Sequence, residues 1–220
     1  DQFSGHELAF LIQQNKLPIL SFAYFPENDM AVHRKDINYL GGIEKADQAL
    51  QVVLNAFGSW EQAIQQATWI VMGDSGQSHV IDDRQKAIVD LRPLLDRYRI
   101  AKINRPIQPD DQIVLSSNER MAYVYAIDDK VSLSKVVQHL QKEGKLDIIA
   151  WKVNETIEVT AGNSRKKFSY RRGGNYKDEY GQSWTLSGDP GLMDIKISAN
   201  NRIQYGKYPD VLARLYGAMN

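Results

Sequence analysis

At 220 residues the chain has room for one large domain or a core with an inserted unit, and its 43% hydrophobic and 25% charged residues exclude disordered, collagen-like and membrane-spanning classes. Lys plus Arg total 27, as do Asp plus Glu, so no net field draws the chain to a nucleic acid polymer or an anionic membrane, and phosphate recognition has to be local. The absence of cysteine excludes disulfides, thiolate zinc sites and a cysteine nucleophile, while bacterial cytoplasm and export both stay open.

Ser4-Gly5-His6-Glu7 has capping-box spacing, and Leu8, Leu11 and Ile12 follow at helical intervals, which predicts a helix to about residue 15. Residues 17–25 (LPILSFAYF) are a short apolar and aromatic run ending at Pro26, the pattern of a buried strand in a parallel sheet. A polar loop over 26–43 comes next. Over 43–57, Ala46, Ala49, Leu50, Val53, Leu54 and Phe57 mark one helical stripe, and a further short helix starts at Ser59. Residues 68–72 (TWIVM) read as a second buried strand that runs directly into Gly73-Asp74-Ser75-Gly76. This strand, loop, helix, strand order predicts an α/β crossover unit.

A helix is expected around 85–95. Residues 112–115 and 121–127, joined by Ser116-Ser117-Asn118-Glu119, predict a hairpin. Residues 132–141 look helical. Strand-like runs follow at 148–153, 156–160 and 167–171, with turn signals at Gly162-Asn163 and Gly173-Gly174. A closing helix is expected over 208–219, with Pro209 at its start and Val211, Leu212, Leu215 and Tyr216 on one face. No stretch approaches the roughly 18 apolar residues that cross a bilayer. The expected organisation is an α/β core over 1–104, an inserted α+β domain over 105–190 and a return to the core over 191–220.

In open α/β sheets ligands bind beyond the carboxyl ends of the strands, and both Asp29 and Asp74 fall there. Asp29 and His33 are four apart, so one helical turn would aim a carboxylate and an imidazole at one ion; a solvated surface pair is the competing reading. Asp74 either serves as a ligand or caps the turn that follows it. Ser75 and His79 lie close enough to join it as metal or substrate contacts, with turn and solvated roles as their alternatives. His6 and His139 read as structural. The cluster Arg165-Lys166-Lys167 with Tyr170-Arg171-Arg172 is a basic and aromatic hairpin face, which either touches phosphate or forms a solvated edge.

Taken together, residues 24–33 (YFPENDMAVH) and 69–76 (WIVMGDSG) resemble the type I phosphodiesterase and nucleotide pyrophosphatase branch of the alkaline phosphatase superfamily, over about residues 1–95. In that family a strand ends in an Asp-x3-His pair that binds one ion of a two-metal site, and a second strand leads to an Asp-His-Gly motif on the other ion. The resemblance implies an alkaline-phosphatase-like core with a parallel sheet. It also implies divalent ions, zinc first and manganese next, held by Asp29, His33 and Asp74. The substrate would be a small phosphate mono- or diester, nucleotide-like as one candidate. Two departures stand out. Asp74-Ser75-Gly76 replaces Asp-His-Gly, so the second ion loses an imidazole or borrows His79. The family's upstream Asp and hydroxyl nucleophile and its final Gly-x-His-Gly do not occur, which sets the expectation of an internal fragment of a longer enzyme, inactive by itself. The alternative to a hydrolase is a non-catalytic α/β binding or structural module.

Overall fold

A computed structural model of the chain describes residues 1–35, 37–79 and 81–219, with Arg84 in its backbone alone. Two compact units form, Asp1–Ala87 and Ile88–Asn220. Among the described residues no helix is long and apolar enough to cross a membrane.

The first unit is helical. α1 (Gln2–Gln13), α2 (Glu27–Arg34), α3 (Gly41–Asn55), α4 (Trp60–Gln66) and the single turn α5 (Arg84–Ala87) follow in order. The stripe on α3 does what its period predicts: Ala49 and Val53 are buried, as are Ala9 and Ile12 of α1, the helix it packs against. Gly5 sets how closely the two helices approach, since a Cβ there would stand 2.9 Å from the Ala49 carbonyl oxygen. Ser59 caps α4, its hydroxyl accepting from the Gln62 backbone N–H at 3.2 Å.

Two expectations change here. The region expected to be a polar loop contains α2. The runs 17–25 and 68–72, expected as buried parallel strands, enter no sheet among the described residues and are largely exposed, Leu20 by 87% and Ile70 by 81%. A run that is apolar on both faces becomes a central strand only where neighbouring strands take its backbone groups and other layers cover both faces. In this unit the apolar stripes of α1 and α3 face each other instead, and Pro18 removes one backbone donor from the first run. The chain therefore mixes helix and strand, but its sheets are small and antiparallel.

The second unit holds those sheets. The helix expected over 85–95 shrinks to α5 and a 3-10 turn at Pro93–Leu95, because Pro93 cannot donate to a continuing helix. Asp90 instead takes the Arg92 backbone N–H at 3.0 Å and its guanidinium at 2.9 and 2.7 Å, and these bonds hold the Asp90 carboxyl down at about 2. β1 (Ile113–Asn118) and β2 (Met121–Ala126) form the expected hairpin, and α6 (Leu133–Leu140) follows. β3 (Ile149–Val153), β4 (Thr156–Thr160), β5 (Phe168–Lys177) and β6 (Ser183–Gly188) make one antiparallel sheet in sequence order. β5 runs on through Gly173-Gly174, where the turn expected from sequence is a bulge between Arg172 and Tyr176.

A hairpin of β7 (Ile195–Ile197) and β8 (Ile203–Tyr205) and the helix α7 (Val211–Ala218) complete the unit. Ile157, Val159, Phe168, Tyr170 and Trp184 from β4 to β6 pack with Met193, Ile195, Ile203 and Leu212. Residues 191–218 thus belong to the core of this sheet. The division between units falls at 87/88, where the sequence reading sets a boundary at 104/105. A second core joins Leu95, Ile113, Val136, Val137, Leu140 and Ile149.

One buried carboxylate organises the β5–β6 end. Asp178, 1% exposed, accepts from the Tyr180 and Gln182 backbone N–H groups at 3.1 and 2.8 Å. It also accepts from Trp184 Nε1 at 2.8 Å, Tyr205 Oη at 3.0 Å and Gln182 Nε2 at 3.4 Å.

Candidate metal centre

α2 has no apolar stripe, so packing alone does not explain it. Its charges follow the helix dipole, with Glu27 and Asp29 in the first turn and His33 and Arg34 in the last. It is also tied to α3. Lys45 Nζ lies 2.6 Å from Glu27 Oε2, a bond that leads the causes holding the Glu27 carboxyl below its usual range, and Gly42 lets the α3 backbone close against Asn28.

On this short helix the i, i+4 spacing brings Asp29 and His33 together. Asp29 Oδ1 and His33 Nε2 are 3.2 Å apart, with the two side chains 44% and 39% exposed. A third group reaches them from far along the chain: Gln77 Nε2 stands 3.3 Å from Asp29 Oδ1 and 3.5 Å from His33 Nε2. The segment that carries Asp74 is thereby brought to α2. That segment is anchored upstream by Trp69, whose indole N–H donates to the Ala63 carbonyl at 3.0 Å while its ring meets the Phe57 ring edge-on.

Asp74, Ser75 and His79 lie in the exposed, irregular stretch around Gln77. Among the described residues, no three His, Cys, Asp or Glu side chains gather where an ion would sit. The Asp29–His33 pair fits one edge of a site. Donors about 2.0–2.1 Å from a tetrahedral zinc stand about 3.3–3.4 Å apart. A carboxylate and an imidazole are also suitable donors for zinc or manganese. Two donors are half of what a closed four-coordinate site needs.

Gln77 is the contact of this pair that the sequence reading does not single out. The signal available was position, one residue beyond Asp74-Ser75-Gly76, but glutamine lies outside the usual search for charged and imidazole ligands.

His139 packs edge-on against Tyr98, and burial holds its imidazole below the usual range, a structural role. A groove of about 470 Å³ between α1 and α3 is lined by His6, Phe10, Gln13, Val52 and Asn55, with none of the candidate ligands on it. On the basic hairpin face Lys166 pairs with Asp189 at 2.8 Å, and Arg172 lies over the Trp184 and Tyr216 rings at 5.1 and 5.0 Å. Those contacts commit part of its charge to the fold.

Comparison with family models, with curated proteins and with solved structures finds no match to this chain.

Proposed function

We propose that this chain supplies part of the two-metal site of a phosphoester hydrolase resembling the type I phosphodiesterases and nucleotide pyrophosphatases. Asp29 and His33 hold one divalent ion, zinc first and manganese next, and Asp74 contributes to the other with Ser75 or His79 beside it. The observation that supports this reading is the contact of Gln77 with Asp29 and His33, because Gln77 lies three residues beyond Asp74 and more than forty positions from the Asp29–His33 pair. A bound divalent ion would supply Lewis acidity toward a phosphoryl oxygen. The chain's own contribution is to hold a carboxylate and an imidazole at the spacing such an ion requires, on a helix fixed through Glu27 and Lys45.

With so few ligands, turnover by these residues alone is not part of the proposal. A calorimetric titration of the whole chain with Zn2+, and then with inorganic phosphate on the zinc-loaded chain, tests it. The expected result is one or two ions bound, with phosphate binding that depends on zinc and is lost in Asp29→Ala. Phosphate binding that ignores both zinc and Asp29→Ala would sink the proposal. Hydrolysis of a p-nitrophenyl phosphodiester by the chain, abolished in Asp29→Ala, would show that the site is complete as it stands.

The second reading is a non-catalytic α/β binding or structural module. The exposure of Asp74 and the lack of a three-ligand group among the described residues favour it. In that case Asp29 and His33 form an exposed surface contact worth little, about 0–1 kcal/mol. The zinc titration separates the two.

A further inference from the structure

Three atoms define a small triangle on the first unit. Asp29 Oδ1 to His33 Nε2 is 3.2 Å, Asp29 Oδ1 to the Gln77 carboxamide is 3.3 Å, and His33 Nε2 to the same carboxamide is 3.5 Å. All three edges lie close to the roughly 3.3–3.4 Å that separates ligand atoms on one face of a tetrahedral zinc site. A hydrogen-bonded trio can show edges of the same length, so the donor chemistry has to separate the two. His33 Nε2 cannot both donate to Asp29 and accept from Gln77 in one tautomer.

We propose that Gln77 is the third protein ligand of the Asp29–His33 ion, binding it through Oε1. The inference rests on the metal-site reading above and adds to it a ligand that neither motif contains. The amide atom inside the triangle is Nε2, and a half-turn about the last side-chain bond exchanges it for Oε1 without moving the rest of the residue. An amide oxygen is a neutral, hard donor, compatible with a carboxylate and an imidazole on a zinc or manganese ion. Three protein ligands leave a fourth position open. That is the form of a site that accepts water or a substrate oxygen, in contrast to the closed four-ligand sites that only hold a fold together. The fourth ligand of a phosphoester-binding site is then a phosphoryl oxygen.

The test uses the whole chain, with Zn2+ in calorimetry and Co2+ as the spectroscopic probe. Wild type, Asp29→Ala, His33→Ala, Gln77→Ala and Gln77→Glu are compared, each first checked for native circular dichroism. Gln77→Ala is expected to weaken zinc at least tenfold and to lower the visible absorption of the cobalt form. Gln77→Glu decides between roles. A ligand that gains charge tightens the ion, here by about tenfold or more. A side chain that does not touch the ion would, as glutamate, leave the visible spectrum of the cobalt form that of Gln77→Ala. Unchanged zinc affinity in Gln77→Ala, with affinity lost in Asp29→Ala and His33→Ala, overturns the Gln77 assignment and leaves the metal-site reading standing. Weaker zinc in Gln77→Glu overturns the assignment in the same way. Zinc affinity indifferent to all four substitutions overturns both.

Discussion

Replacing Asp178 by alanine removes the acceptor on which the β5–β6 end of the second unit is built. Of its donors, the Tyr180 N–H lies at an exposed turn and can bond to water, and Gln182 Nε2 keeps a second acceptor in Asp210 Oδ1 at 3.0 Å. Trp184 Nε1 and the Gln182 backbone N–H have no such substitute, and Trp184 is fully buried. At about 1–3 kcal/mol for each stranded donor, Asp178→Ala costs roughly 2–6 kcal/mol. That is a large share of the roughly 7–20 kcal/mol a unit of this length holds at about 0.05–0.15 kcal/mol per residue. Asp178→Asn refines the argument. Its amide oxygen can serve the backbone N–H groups, but its NH2 then faces Trp184 Nε1 and Tyr205 Oη. The tyrosine hydroxyl can rotate to accept and the indole cannot, so about half the alanine cost is expected. Urea unfolding followed through the Trp151 and Trp184 indole resonances reads this unit separately from the other. A loss below about 1 kcal/mol for Asp178→Ala, or an asparagine variant as stable as wild type, would refute the reasoning.

Alkaline pH should unfold the same unit. Burial raises the Tyr170 hydroxyl, and burial followed by the bond to Asp178 raises Tyr205. Their contribution is intact below the unfolded tyrosine value near 10 and is lost as pH rises above it, because the unfolded chain gives up those protons first; Tyr205→Phe should flatten the fall in urea midpoint between about pH 9 and 11. Gly188 has φ +87 and its Cβ would meet the Lys167 carbonyl oxygen, so Gly188→Ala should cost about 1–3 kcal/mol in the same urea assay, and a neutral outcome would contradict the β5–β6 register. Phe22→Ser and Ile70→Thr should each change stability by less than about 0.5 kcal/mol while reducing self-association in light scattering, whereas losses of 2 kcal/mol or more would mean that both runs are buried strands as their pattern predicts.

The elements legible in the sequence are those whose stability is local or periodic. α3 shows its stripe, α6 and α7 show apolar faces, and the β1–β2 hairpin and β3 to β5 show strand composition bounded by turns. β6, β7 and β8 are harder to see. SWTLSG is half small and polar, and IKI and IQY are too short to show alternation. Their strand character comes from pairing with residues already in place. α2 was hidden for a related reason: ENDMAVHR has no buried face, and its helix rests on terminal charges and on the contacts of Glu27 and Asn28 with α3. The runs 17–25 and 68–72 misled in the opposite direction, since hydrophobicity states a demand for burial without naming what will meet it. In the candidate site, Asp29 and His33 were visible as a spacing. Gln77 was not, because only the fold brings it to them.

That dependence has an energetic consequence. Gln77 and Trp69 are two points at which the segment carrying Asp74 is held, by the amide contacts to α2 and by the indole against Phe57 and Ala63. Between them Ile70, Val71 and Met72 are 81%, 77% and 76% exposed. Holding this segment costs about 1–2 kcal/mol of backbone entropy per residue fixed, which the contacts along it have to offset. In the proposal, an ion taking Gln77 as a ligand supplies whatever those contacts do not, and its apparent affinity falls by any fraction of the chain in which the segment is out of place. Any surface that buries residues 70–72 does the ordering in advance. Its binding and the ion's are then coupled, and by linkage each strengthens the other by the same factor. Under the proposal, the exposed apolar run and the ion's site are therefore linked through the one segment that carries both Ile70 to Met72 and Gln77.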